Sequence, residues 1–193
     1  KPNATENDLV FDNYAVERFR LNDDPIMYPS IDWRRYLLNK TSVQTQHNLN
    51  ISGGTKDIRY FISLGFLYQN GLLKQFEGVG YDNNYKYKRY NYRANLDFDA
   101  TKTTTLKIGI GGIVGNRNEP MINDATNSIW TLINQTTPFS SPGVIDGKLI
   151  VTPEERFDNK INLGNSALPK CYGTGYSTAI NNTMNLDLLL NQK

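Results

Sequence analysis

Two carboxylate groupings have the spacing at which general acid–base catalysis occurs. They are Asp23-Asp24 and the set Glu154, Glu155 and Asp158. Paired Asp or Glu side chains transfer protons in many hydrolases, glycosidases among them. The sequence places no nucleophile and no second catalytic group beside either grouping, so solvated loop charges explain both more simply. We therefore expect that the protein is not an enzyme.

Metal and cofactor chemistry has less support still. The chain has one cysteine, Cys171, and one histidine, His47. This composition excludes an internal disulfide, a cysteine-based metal cluster and a set of histidine ligands. The glycines at 109, 111 and 112 do not form a dinucleotide-binding loop, because no helix is predicted after them. We expect neither a metal nor any other cofactor.

The charge and hydropathy of the chain narrow its possible partners. The 193 residues carry a formal net charge of +2. The densest basic stretch, 86–93, alternates with tyrosine instead of forming a run of Lys and Arg, so we expect no nucleic-acid partner. No run of about 18 apolar residues is present, and therefore no transmembrane helix is predicted.

Five segments alternate polar and apolar residues over the length of a β-strand. In the clearest, 43–52, the even-numbered positions are Gln, Asn or Ser and most odd-numbered ones are apolar. Because successive side chains of a strand point to opposite faces, each segment predicts a strand with one polar and one apolar face. The predicted strands cover about 42–52, 58–69, 86–99, 104–114 and 177–191.

The connections between these strands are alternately short and long. Tight turns are predicted at 53–57 and 100–103, whereas 70–84 and 116–175 are long. A connection of about sixty residues is unusual in a compact soluble domain but ordinary on the outer side of a membrane barrel. The predicted organisation is an outer loop with short helices over 1–41, two hairpins of barrel strands over 42–115, a long extracellular loop over 116–175 and a barrel strand over 176–193.

The predicted fold is all-β, an antiparallel meander of about five strands that forms part of a large transmembrane β-barrel with long outer loops. Closing such a barrel needs about eight strands or more, so this chain would supply only a part. Apolar faces would meet lipid, and polar faces would line a water-filled interior. The residues expected toward lipid are Leu49, Ile51, Ile62, Leu64, Leu96, Ile108, Ile110, Leu186 and Leu188. Those expected on the opposite side are Gln46, Asn48, Ser63, Arg93, Asn95, Lys107, Asn185 and Asp187.

A second architecture would produce the same alternation. In a soluble, secreted β-sandwich the apolar faces of two sheets pack against each other. Such a module would bind carbohydrate through aromatic residues in its loops. The two architectures differ in what the apolar faces meet, and the alternation by itself fits both.

Several stretches of the sequence resemble one known family. Residues 44–66 (QTQHNLNISGGTKDIRYFISLGF) look like a hairpin of the SusC/RagA-like TonB-dependent outer-membrane transporters. The segments 87–97 (YKRYNYRANLD) and 105–112 (TLKIGIGG) fit the strands that follow it, and 24–33 (DPIMYPSIDW) is similar to the segment before it. Together with the final strand, the resemblance covers roughly 20–115.

The resemblance implies a barrel of about 22 strands closed by a plug in the outer membrane of a Gram-negative bacterium. Members of this family work with a SusD-like surface lipoprotein that captures an oligosaccharide or peptide. The TonB complex powers import through an N-terminal region that is absent from this chain. The chain would cover the second to sixth barrel strands, with membrane lipid as a further partner. The two tight turns would face the periplasm, and the three long segments would face outside.

Four side chains are candidates for ligand binding. Arg89 and Arg93 would project into the barrel interior and contact substrate or plug. The alternative is a ladder of charges, shared with Asp97 and Lys107, that neighbouring strands and water satisfy. Trp130 and Tyr172, in the long outer loop with Phe139, could stack on sugar rings. The alternative for them is packing within the loop or against the lipoprotein.

Overall fold

The computed structural model describes residues 11–122, 128–151 and 166–192. The chain forms two compact units, each built from three separate segments. The sheet unit comprises Thr41–Gly71, Tyr85–Glu119 and Thr178–Lys193. The loop unit comprises Lys1–Lys40, Leu72–Asn84 and Pro120–Ser177. In chain order the elements are α1 (Asn13–Leu21), α2 (Trp33–Leu37), β1 (Gln44–Gly54), β2 (Ile58–Asn70), β3 (Lys86–Asp99), β4 (Thr104–Pro120), α3 (Ile129–Gln135), β5 (Val144–Ile145), β6 (Lys148–Leu149), α4 (Ala167–Tyr172) and β7 (Tyr176–Gln192).

The sheet unit is a five-stranded antiparallel meander in the order β1-β2-β3-β4-β7, which confirms the predicted fold class. Leu64 pairs with Leu49 on one side and with Tyr92 on the other. Ala94 in turn pairs with Ile110. Directly paired residues share a face, so the alternation places the apolar sets of four strands together, as predicted.

The last strand follows the same rule. A side chain at Gly109 would lie 3.4 Å from the Cβ of Asp187. Gly109 stands on the polar face, opposite Asn95, so Asp187 shares that face. Alternation then puts Leu186 and Leu188 on the apolar face.

The hairpin turns are tight because specific residues close them. The amide of Thr55 donates to the carbonyl of Ile58 at 2.7 Å. A side chain at Gly54 would meet that same oxygen at 2.3 Å, so only glycine fits there. In the second turn the amide of Thr101 donates to the carbonyl of Thr104 at 3.2 Å.

β4 differs from the prediction, since it continues to Pro120 instead of ending near 114. Asn116 and Asn118 pair with Lys88 and Lys86 of β3. Backbone pairing extends the ladder beyond the last apolar residue of the strand. The length of β4 is therefore set by its pairing with β3, and the expected outer loop begins after Pro120 and not at 116.

The loop unit has its own hydrophobic core, to which all three of its segments contribute. Trp33 donates its indole N–H to the carbonyl of Thr137 at 2.8 Å, and the amide of Lys74 donates to the carbonyl of Leu37 at 2.8 Å. The fully or almost fully buried members are Trp33, Leu37, Leu73, Leu132, Ile133, Ala167, Leu168, Cys171 and Tyr172.

Caps fix the helices of this unit. Asp12 accepts a hydrogen bond from the amide of Ala15 at 2.6 Å and begins α1, and Asn22 ends it with φ 50°. Asp32 accepts from the amide of Arg35 at 3.1 Å and begins α2. Short carboxylate side chains are favoured at helix N-caps for this reason. Across the described ranges, no helix has the length and apolar character needed to cross a membrane.

Candidate functional site

The apolar face of the sheet unit is open to its surroundings. Leu188 is 71% exposed, and Leu49 and Leu64 are also exposed. By contrast, Leu37 and Leu132 of the loop unit are fully buried. Large contiguous apolar surfaces on a folded protein mark a binding or membrane surface. This face is therefore a candidate interaction surface.

The opposite face of the sheet is polar, and ion pairs satisfy both of its ends. Arg59 lies 3.1 Å from Asp99, and Lys107 lies 3.6 Å from Asp97. At the other end of the strands, Arg117 lies 3.1 Å from Glu119. Asp97 and Lys107, on neighbouring strands, thus form an ion pair of the kind that was the alternative to contact with substrate or plug.

Arg89 and Arg93 stand in the middle of the polar face. Arg89 lies between Leu67 and Gly115, and Arg93 lies between Ser63 and Gly111. Within the described part of the chain neither forms a salt bridge, and the buried Nε of Arg89 has no hydrogen-bond partner. The buried Oδ1 of Asn91, between them, also lacks a partner. A carboxylate or carbonyl oxygen would accept a hydrogen bond from the Nε–H of Arg89, and an N–H or O–H group would donate one to the Oδ1 of Asn91.

Tyr172 is a core residue and is 1% exposed. Its hydroxyl donates to the carbonyl of Lys74 at 2.8 Å, and its ring packs edge-on against Phe76 at 5.1 Å. Burial raises the pKa of this hydroxyl above its usual range. The ring has no free face for a sugar, so Tyr172 takes the packing role that was the alternative to ligand contact.

Trp130 is 51% exposed at the start of α3. Ser128 caps this helix by accepting from the amide of Thr131 at 3.3 Å, and Leu132 and Ile133 form its buried side. The indole therefore points away from the core. Of the two aromatic candidates, Trp130 is the one that remains available for binding.

The carboxylate pair near the first helix is not arranged for catalysis. Asp23 and Asp24 lie 3.0 Å and 3.6 Å from the guanidinium of Arg18, which also stacks over the ring of Tyr28. Glu154, Glu155 and Asp158 fall outside the described residues. Among the residues that the structure describes, no group of His, Cys, Asp and Glu could hold a metal ion.

The sequence pattern did not indicate on which face two charged residues of the sheet lie. Lys86 and Lys88 lie on the apolar face, because they pair with Asn118 and Asn116 and not with the residues of the polar set. The alternation of Lys and Tyr in 85–88 was the available signal.

No protein-family profile matches the chain. A curated relative, the TonB-dependent receptor SusC of Bacteroides thetaiotaomicron, is 28% identical over an alignment of 125 residues, and the alignment covers 58% of this chain and 12% of that protein. A solved structure, described as the RagAB peptide transporter, is 22% identical to this chain, with a TM-score of 0.38. The match covers 54% of this chain and 12% of that one. The chain thus spans about an eighth of each relative. The match to SusC confirms what the hairpin motif predicted, that this chain resembles part of a SusC/RagA-like TonB-dependent outer-membrane transporter.

Proposed function

We propose that this chain is part of a TonB-dependent outer-membrane transporter that imports oligosaccharides or peptides together with a SusD-like lipoprotein. The observation that carries the proposal is the two-sided sheet, with one exposed apolar face and one polar, partly unsatisfied face. The similarity to SusC supports it independently. The whole transporter would reside in the outer membrane of a Gram-negative bacterium.

The dimensions of the apolar face fit a bilayer. Its apolar rows run from Tyr90 to Phe98 along β3, a rise of about 27 Å at 3.4 Å per residue. With the tilt of about 40° that is usual for barrel strands, these rows would cover about 21 Å along the membrane normal. The apolar band of outer-membrane barrels is about 25 Å tall.

A soluble sandwich fits less well. A sandwich needs a second sheet of similar size against the apolar face. Within the described ranges the only other sheet pairs β5 with β6, each of two residues. This sheet lies in the loop unit and does not supply such a partner. The exposed aliphatic side chains of β1 and β7 support contact with lipid instead.

The loops and the polar face would take different parts in transport. The polar face would line the interior, where Arg89 and Arg93 meet substrate or plug. The loop unit would lie outside the cell and meet the lipoprotein or captured substrate, with Trp130 as its exposed aromatic contact. The TonB complex would act through a region of the transporter beyond this chain.

Epitope tags in the intact transporter test this topology. A tag between Glu154 and Glu155 should bind antibody on whole cells. A tag between Lys56 and Asp57, in the tight turn after β1, should bind only after permeabilisation. The reverse pattern would refute the proposed orientation. Recovery of the intact protein in the soluble fraction without detergent would refute the membrane location itself.

A further inference from the structure

A groove in the loop unit runs between the segment 30–34, at the start of α2, and the segment 133–138, at the end of α3. Its volume is about 580 Å³, which is within the range of pockets that hold small ligands. Two hydrogen bonds join its sides. The amide of Ile31 donates to the carbonyl of Pro138 at 2.9 Å, and the guanidinium of Arg34 donates to the Oδ1 of Asn134 at 2.8 Å.

Exposed polar side chains of this groove keep hydrogen-bonding atoms that the fold does not use. Asp32 caps α2 with one carboxylate oxygen, Oδ1, so its Oδ2 is left as an acceptor. Asn134 accepts through Oδ1 and keeps the two donors of its Nδ2. The hydroxyl of Ser30, which also lines the groove, has no hydrogen-bond partner among the described residues. The groove therefore offers both acceptors and donors to a ligand.

The two charges of the groove do not neutralise each other. Neither Asp32 nor Arg34 forms a salt bridge with a residue in the described part of the chain, although both line the groove. An ion of either sign would be attracted by one of them and repelled by the other. An uncharged ligand with donors and acceptors side by side suits both. Neighbouring hydroxyl groups have this property, because each can donate one hydrogen bond and accept others.

An exposed aromatic ring stands beside the groove. Trp130 and Asn134 are four residues apart on α3, so their side chains lie on the same face of that helix. The rise between them is about 6 Å, which is comparable with the length of one sugar ring. The indole of Trp130 is half-exposed and offers a flat apolar surface. One sugar ring can therefore stack on the indole while the next one lies in the groove.

We propose that this groove, together with Trp130, binds a neutral oligosaccharide. The Oδ2 of Asp32 accepts from one sugar hydroxyl, and the Nδ2 of Asn134 donates to a neighbouring one. The inference deepens the proposed function and rests on it, since the loop unit there meets captured substrate outside the cell. A peptide fits less well. Extended peptides are commonly bound by pairing with the exposed edge of a sheet, whereas short helices and irregular segments line this groove.

Two substitutions remove only the unused atoms. Asp32→Asn keeps the cap of α2, because Asn caps helices as well as Asp does, but it removes the negative charge and the second acceptor. Asn134→Asp keeps an acceptor for Arg34 and removes the Nδ2 donors. The control is Asp12→Asn, which makes the same change at the cap of α1. Asp12 accepts there from the amide of Ala15 at 2.6 Å and does not line the groove.

Saturation-transfer NMR on the purified, detergent-solubilised full-length transporter measures the binding. The probes are neutral hexasaccharides of glucose, xylose or mannose and an uncharged, end-capped hexapeptide of Gly and Ser. We expect the wild type to bind a hexasaccharide in preference to the peptide. A hydrogen bond to a charged group contributes about tenfold to binding and one between neutral groups about fivefold. The Kd for that sugar should therefore rise about tenfold in Asp32→Asn, about fivefold in Asn134→Asp and less than twofold in Asp12→Asn.

Three results would overturn the inference. They are the absence of binding to all of these sugars, equal Kd values for the wild type and both groove variants, and a loss in the groove variants of peptide binding alone. A heat-modifiable band on gels, taken from the same preparations, reports the folded barrel separately. If that band is present and any of the three results is obtained, only the groove inference fails. If the protein forms no such band, the proposed function fails with it.

Discussion

Replacing Ile62 by Arg is the sharpest test of which face meets lipid. Ile62 is 38% exposed on the apolar face and pairs with Ile51 and Ala94. Its row lies midway between the rows of Phe66 and Ile58, so it should stand near the bilayer midplane. An Arg there costs about 2–4 kcal/mol on the lipid side of a barrel. The folding equilibrium should therefore fall roughly 30- to 1,000-fold.

The matched control is the neighbouring residue on the other face. Phe61 is also apolar and 36% exposed, but it pairs with Ser52 and Asn95. An Arg at this position should stay hydrated, so Phe61→Arg should change the equilibrium much less. Folding of the intact transporter into vesicles over a urea series, scored by the heat-modifiable band, measures both. Equal urea midpoints for Ile62→Arg and Phe61→Arg would show that the two faces meet the same medium, and the assignment of lipid and water would be wrong.

Three further predictions concern the polar face and the loop unit. Replacing Arg89 and Arg93 together by Gln should lower uptake of an anionic substrate at least fivefold in intact cells while leaving folded yield unchanged, and unaltered uptake would return both residues to a structural role. Burial raises the pKa of Cys171 from 9.0 to about 12. Its neutral thiol thus stabilises the fold below about pH 9, and this contribution is lost as the pH rises through about 12. The unfolding temperature of the loop unit should fall over that range, and less steeply in Cys171→Ala. Trp130→Ala should leave that temperature within about 2 °C of the wild type but weaken binding of lipoprotein or substrate by about 1 kcal/mol or more, and unchanged binding would remove Trp130 from the interface.

The strands were predictable because their signal is local. Alternation around Leu49, Leu64 and Leu96 needs no knowledge of distant residues, and β1, β2 and β3 lie close to their expected positions. The end of β4 was not predictable from the local sequence, because Asn116 and Asn118 continue the strand only by pairing with Lys88 and Lys86. A polar pair at the end of an apolar run looks like a loop when its partner strand is unknown.

The candidate site was predictable only in part for the same reason. The sequence assigns Arg89 and Arg93 to a face. Whether a carboxylate forms a salt bridge with either of them depends on residues far along the chain. Tyr172 and Trp130 looked alike as aromatic residues in a polar loop. Only the packing around α4 separates them, since Tyr172 hydrogen-bonds Lys74 across 98 positions. The short helices α3 and α4 lacked a usable local signal, because their buried residues pack mainly against distant segments.

The shared core of the loop unit sets an order in which the protein can fold. Trp33 and Thr137 meet across 104 positions, and the last core residues, Cys171 and Tyr172, come just before β7. The first helices therefore emerge from synthesis without the apolar surface that will cover them. Contacts of such long sequence separation form slowly. Until they form, the apolar segments stay exposed and are prone to aggregation. Trp33 should thus report a late step, with its fluorescence reaching the native value only after residues beyond 172 are available.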